Sequence, residues 1–113
     1  MRVSNKACAL GLVCVLLTLG GPALGRAQDS STALARSLFN EGVELADREQ
    51  WEEASDRFRR SLAVRDSTVV AFNLATALTH TGRLLEASEL FRRAARDTSA
   101  PAALREAAQR GLS

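Results

Sequence analysis

Few residues of this chain combine the types and spacings that catalysis or metal binding requires. His80 is the single histidine, and no acidic residue stands at a metal-ligand spacing beside it. The carboxylates are scattered along amphipathic stretches, no glycine-rich phosphate loop follows a strand pattern, and no serine has a nucleophile-elbow context. The sequence therefore predicts neither an enzyme nor a bound metal or cofactor, and His80 is expected at the surface or in a groove.

Two pairs of adjacent arginines could form a ladder for phosphates or for an acidic partner. The pairs are Arg59-Arg60 and Arg92-Arg93. Asp56 precedes Arg60 by four residues and Glu89 precedes Arg93 by four, which is the spacing of ion pairs along one helix. We therefore expect a solvated face of self-paired charges rather than a phosphate site.

The N-terminal stretch has the layout of a secretory signal. Arg2 and Lys6 precede an apolar run over residues 7–19, a Gly-Gly-Pro break at 20–22, and small residues up to Ala27. We predict cleavage after Ala27 and an exported protein, with the periplasm of a Gram-negative bacterium as the expected compartment. The alternative is an uncleaved membrane anchor over residues 7–24, because that stretch nearly reaches the roughly 18 to 20 apolar residues that span a bilayer.

Removal of residues 1–27 changes the charge balance. The full chain has 15 basic and 13 acidic residues, and loss of Arg2, Lys6 and Arg26 leaves 12 against 13, a net charge of −1. Both cysteines are lost as well. We therefore expect no nucleic-acid partner, no membrane association after cleavage, and no disulfide in the mature chain.

An internal repeat organises the chain between Leu38 and Asp97. Nine identities recur at one fixed offset, the separation of Phe39 from Phe72, and all four phenylalanines obey it. The recurring pairs are Phe39/Phe72, Asn40/Asn73, Leu45/Leu78, Glu53/Glu86, Ala54/Ala87, Ser55/Ser88, Phe58/Phe91, Arg59/Arg92 and Arg60/Arg93. Within each unit, apolar and small residues have helical spacing and are interrupted by polar residues at 47–50 and at 81–83. Because Gly82 can close a helix in a left-handed conformation, the pattern predicts two helical hairpins.

These residues resemble the tetratricopeptide repeat. The second unit carries the pattern in residues 72–78, Thr81-Gly82-Arg83, Glu86-Ala87, Phe91 and Ala94, and the first in Leu38, Gly42, Leu45, Trp51, Ala54, Phe58 and Ser61. Glu49 stands where the family has a turn glycine, and Asp66 stands where it has a closing proline. The resemblance implies an all-α fold, a short α-solenoid of two antiparallel helical hairpins over residues 33–98, and a role in protein binding rather than catalysis.

The physical reason for the pattern is close packing of the helices. Small residues at Gly42 and Ala54 let the two helices of a hairpin approach each other, and Phe58 fills the space beside them. Trp51 is expected to pack at the start of the second helix rather than to form a binding hot spot.

A partial third unit is predicted at residues 99–113. Ala102, Leu104 and Ala108 belong to a short amphipathic pattern that favours a capping helix docked on the second hairpin. Residues 28–32 are predicted to be a flexible leader. Two repeats and a cap fall short of the roughly three repeats that are usual for independent stability, so we expect marginal stability, self-association, or a partner that completes the stack.

The resemblance also implies a concave groove lined by the first helix of each hairpin. The matching positions are Arg36, Phe39, Asn40, Val43 and Asp47 in the first unit and Val69, Phe72, Asn73, Thr76 and His80 in the second. Phe39 and Phe72 would anchor an apolar part of a peptide, and the two asparagines would hydrogen-bond its backbone. Alternatively, both phenylalanines pack against a neighbouring helix. A carboxylate clamp for chaperone tails is disfavoured, because Ala102 and Glu106 replace its second basic pair.

Two hypotheses for function follow from these patterns. The first is an exported interaction module that binds a peptide segment of a protein partner through the groove. The second is a structural assembly unit whose hairpin ends stack on another copy or on a longer repeat protein.

Overall fold

The protein is described here by a computed structural model, which gives the backbone from Arg2 to Ser113 and the side chains from Gly25 onward. Most of the predicted export signal therefore lies outside the described side chains. The signal, its cleavage after Ala27 and the alternative anchor remain predictions. Among the described residues, no helix is long and apolar enough to cross a membrane.

From Arg2 to Ser113 the structure contains five helices and no strand. They are α1 Arg2–Asp47, α2 Trp51–Val64, α3 Thr68–His80, α4 Leu84–Arg96 and α5 Ala102–Gly111. The all-helical architecture, with its short helical-repeat arrangement, confirms the predicted fold class. The chain divides into two units, residues 1–31 and residues 32–113.

In the first unit, the described residues from Gly25 to Ser31 are helical and exposed. The hydroxyl of Ser31 donates a hydrogen bond to the carbonyl oxygen of Ala27 at 3.1 Å, one helical turn earlier. The flexible leader predicted at residues 28–32 is therefore corrected to helix, since these residues lie within α1. Arginine, alanine and glutamine at 26–28 are good helix formers, which favours this continuation.

In the second unit, the buried positions repeat with the period of the sequence. The end of α1 packs on α2, α3 packs on both α2 and α4, and α5 packs on α4 and α3. The equivalent inward-facing pairs are Leu38/Ala71, Ala54/Ala87, Phe58/Phe91 and Ser61/Ala94. The residues that recur with the repeat period are thus buried residues that pack the hairpins together.

Gly42 and Phe58 set the distance between the helices of the first hairpin. A Cβ atom built on Gly42 would lie 2.5 Å from Cε1 of Phe58, so only glycine fits under the ring. Beyond this contact, the buried hydroxyl of Ser61 donates to the carbonyl oxygen of Ala35 at 2.8 Å. A polar residue is tolerated there because its hydrogen-bonding group is satisfied.

The two hairpin turns are built in the same way despite different residues. Glu49 has a φ of 60°, and Gly82, the equivalent residue of the second unit, has a φ of 81°. In each turn the amide that follows donates to a carbonyl five residues back, from Gln50 to Leu45 and from Arg83 to Leu78, both at 2.9 Å. This is the Schellman pattern, and it confirms the left-handed conformation predicted for Gly82.

Replacing Glu49 by glycine is expected to raise the free energy of unfolding by about 0.5–1 kcal/mol. A side chain in the left-handed region costs about 1–2 kcal/mol, and the extra freedom of glycine in the unfolded chain offsets part of that gain. Urea denaturation monitored by circular dichroism measures the change. Gly82→Ala, at the equivalent position, should shift stability in the opposite direction, and a loss of stability in Glu49→Gly would contradict this description of the turn.

The loop before α5 is organised by Asp97. Its carboxylate accepts hydrogen bonds from the Ser99 hydroxyl at 2.6 Å, from the Ser99 amide at 3.0 Å, and from the hydroxyl of Thr68. The bond from the Ser99 hydroxyl, followed by that from Thr68, holds the pKa of this carboxyl below its ordinary value. Asp97 therefore ties the loop that leads into α5 to the start of α3.

The predicted capping helix is confirmed as α5. Ala108 is fully buried, and it occupies in the third unit the position that the small residues Gly42 and Ala75 occupy in the first two. Gly111 lies under the ring of Phe91: a Cβ atom built on Gly111 would be 2.8 Å from the Cε2 atom of that ring. The cap is thus held by small residues that admit close contact.

Candidate functional site

The ten residues predicted to line a groove lie on α1 and α3. Arg36, Asn40, Asp47, Val69 and His80 are exposed, whereas Phe39, Val43, Phe72, Asn73 and Thr76 are half-buried. Three of them, Arg36, Phe39 and Val69, meet at one cavity. The other seven do not line it.

The cavity has a volume of about 210 Å³ and lies where α1, the end of α2 and the start of α3 come together. Its lining consists of Thr32, Ala35, Arg36, Phe39, Ser61, Arg65, Ser67, Val69 and Val70. The residues from α2 and from the following loop were not predicted, because the resemblance directs attention to the first helix of each hairpin. We call this space the α1–α3 cavity.

Both groove phenylalanines pack against the second helix of their own hairpin. The ring centroids of Phe39 and Phe58 are 5.8 Å apart, and those of Phe72 and Phe91 are 5.6 Å apart with an edge-on geometry. Of the two possibilities left open by the sequence, packing on a neighbouring helix therefore describes these rings. Phe39 also contributes to the wall of the α1–α3 cavity, so its ring has both roles.

The polar residues of the predicted groove in α3 are engaged with their own helix. The Nδ2 atom of Asn73 donates to the carbonyl oxygen of Val69 at 2.8 Å, and the hydroxyl of Thr76 donates to that of Phe72 at 3.1 Å. This bond uses one of the two N–H groups of the Asn73 amide, and binding of a peptide backbone by Asn73 stays a prediction. Asn40, the equivalent residue on α1, is exposed.

At the other end of α3, His80 stacks on Trp51. Their ring centroids are 3.8 Å apart and the planes differ by 4°. Trp51 begins α2 and His80 ends α3, so the stack joins the two hairpins, in agreement with a packing role for Trp51. Val69 and His80 stand near opposite ends of α3, about 17 Å apart along the helix axis. The α1–α3 cavity and the Trp51–His80 stack therefore lie at opposite ends of α3.

The α1–α3 cavity combines apolar walls with positive charge. Ala35, Phe39, Val69 and Val70 supply carbon surface, and the guanidinium groups of Arg36 and Arg65 supply the charge. The Nη1 atom of Arg65 donates to the hydroxyl of Thr32 at 2.6 Å, which fixes one guanidinium beside the cavity. Arg36 is exposed and is in no ion pair within the part of the chain described in side-chain detail. Such a lining favours an apolar group with a carboxylate or phosphate beside it.

The hydroxyl groups in the cavity have structural partners. Ser61 donates to the carbonyl oxygen of Ala35, and Ser67 accepts a bond from the amide of Val70 at 3.5 Å as it caps α3. Among the side chains from Gly25 onward, no group of three or more metal-ligating residues comes together.

The repeated arginine pairs make contacts that differ from the prediction. Arg60 lies 3.9 Å from Asp56, four residues earlier, as expected. Arg93, however, pairs with Asp66 and not with Glu89. Arg59 pairs with Glu86 on α4 at 2.7 Å. Two of these arginines thus bridge segments that are distant in the sequence, a contact that local spacing cannot indicate.

Comparisons with protein-family models, with characterised proteins and with solved structures find no match to this chain.

Proposed function

We propose that this chain is an exported, tetratricopeptide-like interaction module that binds a peptide segment of a partner protein in the α1–α3 cavity. The observation that carries the proposal is the meeting of Arg36, Phe39 and Val69, residues from two different hairpins, around one open apolar space. A ligand held there contacts both hairpins at once. Export is the part of the proposal that rests on the sequence alone.

The dimensions of the cavity favour a side chain as its occupant. Pockets for drug-sized molecules have volumes of about 300–1,000 Å³, and this cavity has about 210 Å³. One apolar side chain of a peptide fits a space of that order, while the rest of the peptide lies along the exposed surface. A hot spot formed by one buried anchor is typical of peptide recognition.

The charges favour an acidic residue next to the anchor. Arg36 and Arg65 both line the cavity, and no carboxylate is among its lining residues. A carboxylate on the bound peptide would accept charge-assisted hydrogen bonds from these guanidinium groups. The proposed ligand is therefore a short segment with an apolar side chain beside Asp or Glu.

Selection of a random peptide library on the full chain tests this function. We expect enrichment of sequences with an apolar residue adjacent to an acidic one. On the Arg36→Glu variant, the acidic preference should be lost or replaced by Lys and Arg, because a like-charge contact is unfavourable. Affinity of a selected peptide for Arg36→Glu should fall by about tenfold or more, equivalent to about 1.4 kcal/mol.

Arg48→Glu is the matched control, since Arg48 is an exposed arginine of the turn that follows α1 and does not line the cavity. It should leave the selected sequences and their affinities unchanged. Val69→Asp should abolish the apolar preference by placing a charge in the cavity wall. Identical selected sequences for the wild type, Arg36→Glu and Val69→Asp would refute the site.

A further inference from the structure

A second cavity lies between α4 and the end of α5. It has a volume of about 250 Å³, and the residues that line it include Leu84, Ala87, Ser88, Phe91, Gly111 and Leu112. Phe91 is buried, whereas Leu84 is 61% exposed and Leu112 is exposed as well, so the space runs from the interior to the surface. We call it the α4–α5 cavity.

The preceding unit fills the equivalent space with its own side chains. Three wall residues are identical in the two units, namely Ala54/Ala87, Ser55/Ser88 and Phe58/Phe91. Gly111, however, stands where the repeat period places Leu78, and Leu78 is fully buried. Ser55 is 2% exposed, but its equivalent Ser88 is half-buried. The α4–α5 cavity therefore lies where a leucine side chain is packed one unit earlier.

The exposed side of the cavity differs in the same direction. Leu84, which begins α4, is equivalent to Trp51, which begins α2. The ring of Trp51 stacks on that of His80 with centroids 3.8 Å apart, and Ser113, another lining residue, is equivalent to His80. At both positions the second junction has the smaller residue. The first junction thus shows which groups fit the second, a branched aliphatic group inside and flat aromatic rings toward the surface.

The lining favours an uncharged ligand. No residue that lines the α4–α5 cavity has an ionisable side chain. The hydroxyl of Thr79 donates to the carbonyl oxygen of Ala75 at 2.9 Å, and that of Ser88 donates to the carbonyl oxygen of Leu85 at 2.8 Å. Because both hydroxyl protons are already used, a charged group or a peptide amide placed here would lose its hydrogen bonds to water without replacement.

From these observations we propose that the α4–α5 cavity binds a small, uncharged aromatic molecule, of the size of indole or of a benzene ring with a short alkyl group. An apolar cavity of about 150 Å³ holds a benzene ring, so about 250 Å³ leaves room for a fused ring or a branched alkyl group. This site is independent of the α1–α3 cavity, which has two arginines in its lining and lies at the other junction.

Titration of the full chain with indole, followed by nuclear magnetic resonance, tests the site. The amides of Ser88, Gly111 and Leu112 should show saturable shifts with a dissociation constant on the order of 1 mM or below, as expected for a ligand of about nine heavy atoms. N-acetyltryptophanamide carries the same ring on peptide groups that find no partner in the cavity. It should bind about tenfold more weakly or not at all.

Leu84→Asp is the variant that removes the apolar wall. Its affinity for indole should fall by about tenfold or more, because the charge lies in the wall of the cavity. An acidic residue is favourable in the first turn of a helix, so α4 should be retained. Leu85→Asp is the matched control, since Leu85 is the next residue of the same turn, is 74% exposed and does not line the cavity. It should change the affinity by less than about twofold.

Gly111→Leu restores the residue of the equivalent position and should abolish indole binding by filling the space. The ring of Phe91 must shift to admit the new side chain, so circular dichroism checks that the helices are retained, and Leu84→Asp carries the test if they are not. Absence of saturable shifts in the wild type, or equal affinity in Leu84→Asp and the wild type, would overturn the proposal. Tighter binding of N-acetyltryptophanamide than of indole would also overturn it, by assigning the cavity to a peptide side chain.

Discussion

Replacing Phe58 by alanine is expected to lower the free energy of unfolding by about 3–5 kcal/mol, as truncation of a buried phenylalanine does. Phe58 is 1% exposed, its ring lies on Gly42, and its centroid is 5.8 Å from that of Phe39. Small domains have total stabilities of about 5–15 kcal/mol, so the loss removes a large share of the total. Urea denaturation followed by far-ultraviolet circular dichroism measures it.

Leu85→Ala is the control for this substitution. Leu85 is 74% exposed, so its truncation should change the free energy of unfolding by no more than about 0.5 kcal/mol. A loss below about 1 kcal/mol for Phe58→Ala would mean that the first hairpin is not held together by this ring.

Replacing Gly42 by alanine is expected to lower the free energy of unfolding by up to about 2 kcal/mol, although inside a helix this substitution ordinarily stabilises by about 1 kcal/mol. Here the new methyl group would lie 2.5 Å from Cε1 and 2.7 Å from Cδ1 of Phe58. The ring is buried and has no space into which it could move, so overpacking costs about 1–3 kcal/mol. This cost outweighs the gain from the higher helix propensity of alanine. Thermal and urea unfolding of the variant measure the sign directly.

A double variant separates this clash from any other effect at Gly42. Combining Gly42→Ala with Phe58→Leu gives the new methyl group more room, so the two losses should sum to more than the loss in the double variant. We expect a coupling of about 0.5–3 kcal/mol, as found for residues in contact. Additive losses, or a stabilised Gly42→Ala variant, would show that the helices are farther apart than described.

The period of the sequence predicted the hairpins because the residues that repeat are those that face inward. Gly42, Ala54 and Phe58 recur as Ala75, Ala87 and Phe91, and all six are buried. Burial imposes strict limits on size and chemistry, so it leaves a pattern that can be read without a structure. The left-handed conformation of Glu49 could not be predicted from its residue type, since glycine is the usual residue at such a position.

The candidate site could be predicted only in part, because it combines residues that have no common spacing. Arg36, Phe39 and Val69 were found through the first helices of the hairpins, whereas Arg65 and Ser67 come from the end of α2 and the loop after it. Packing decides which of these segments meet. The same limit applies to Arg93, whose partner Asp66 lies much earlier in the chain, in another segment.

The most direct test of the central claim is the nuclear magnetic resonance footprint of a library-selected peptide on the full chain. If the α1–α3 cavity is the binding site, saturable shifts should be largest for Arg36, Phe39, Val69 and Val70, which line it. The amides around the Trp51–His80 stack, at the other end of α3, should stay unchanged. Shifts confined to that stack, or no saturable shift at the cavity, would contradict the account.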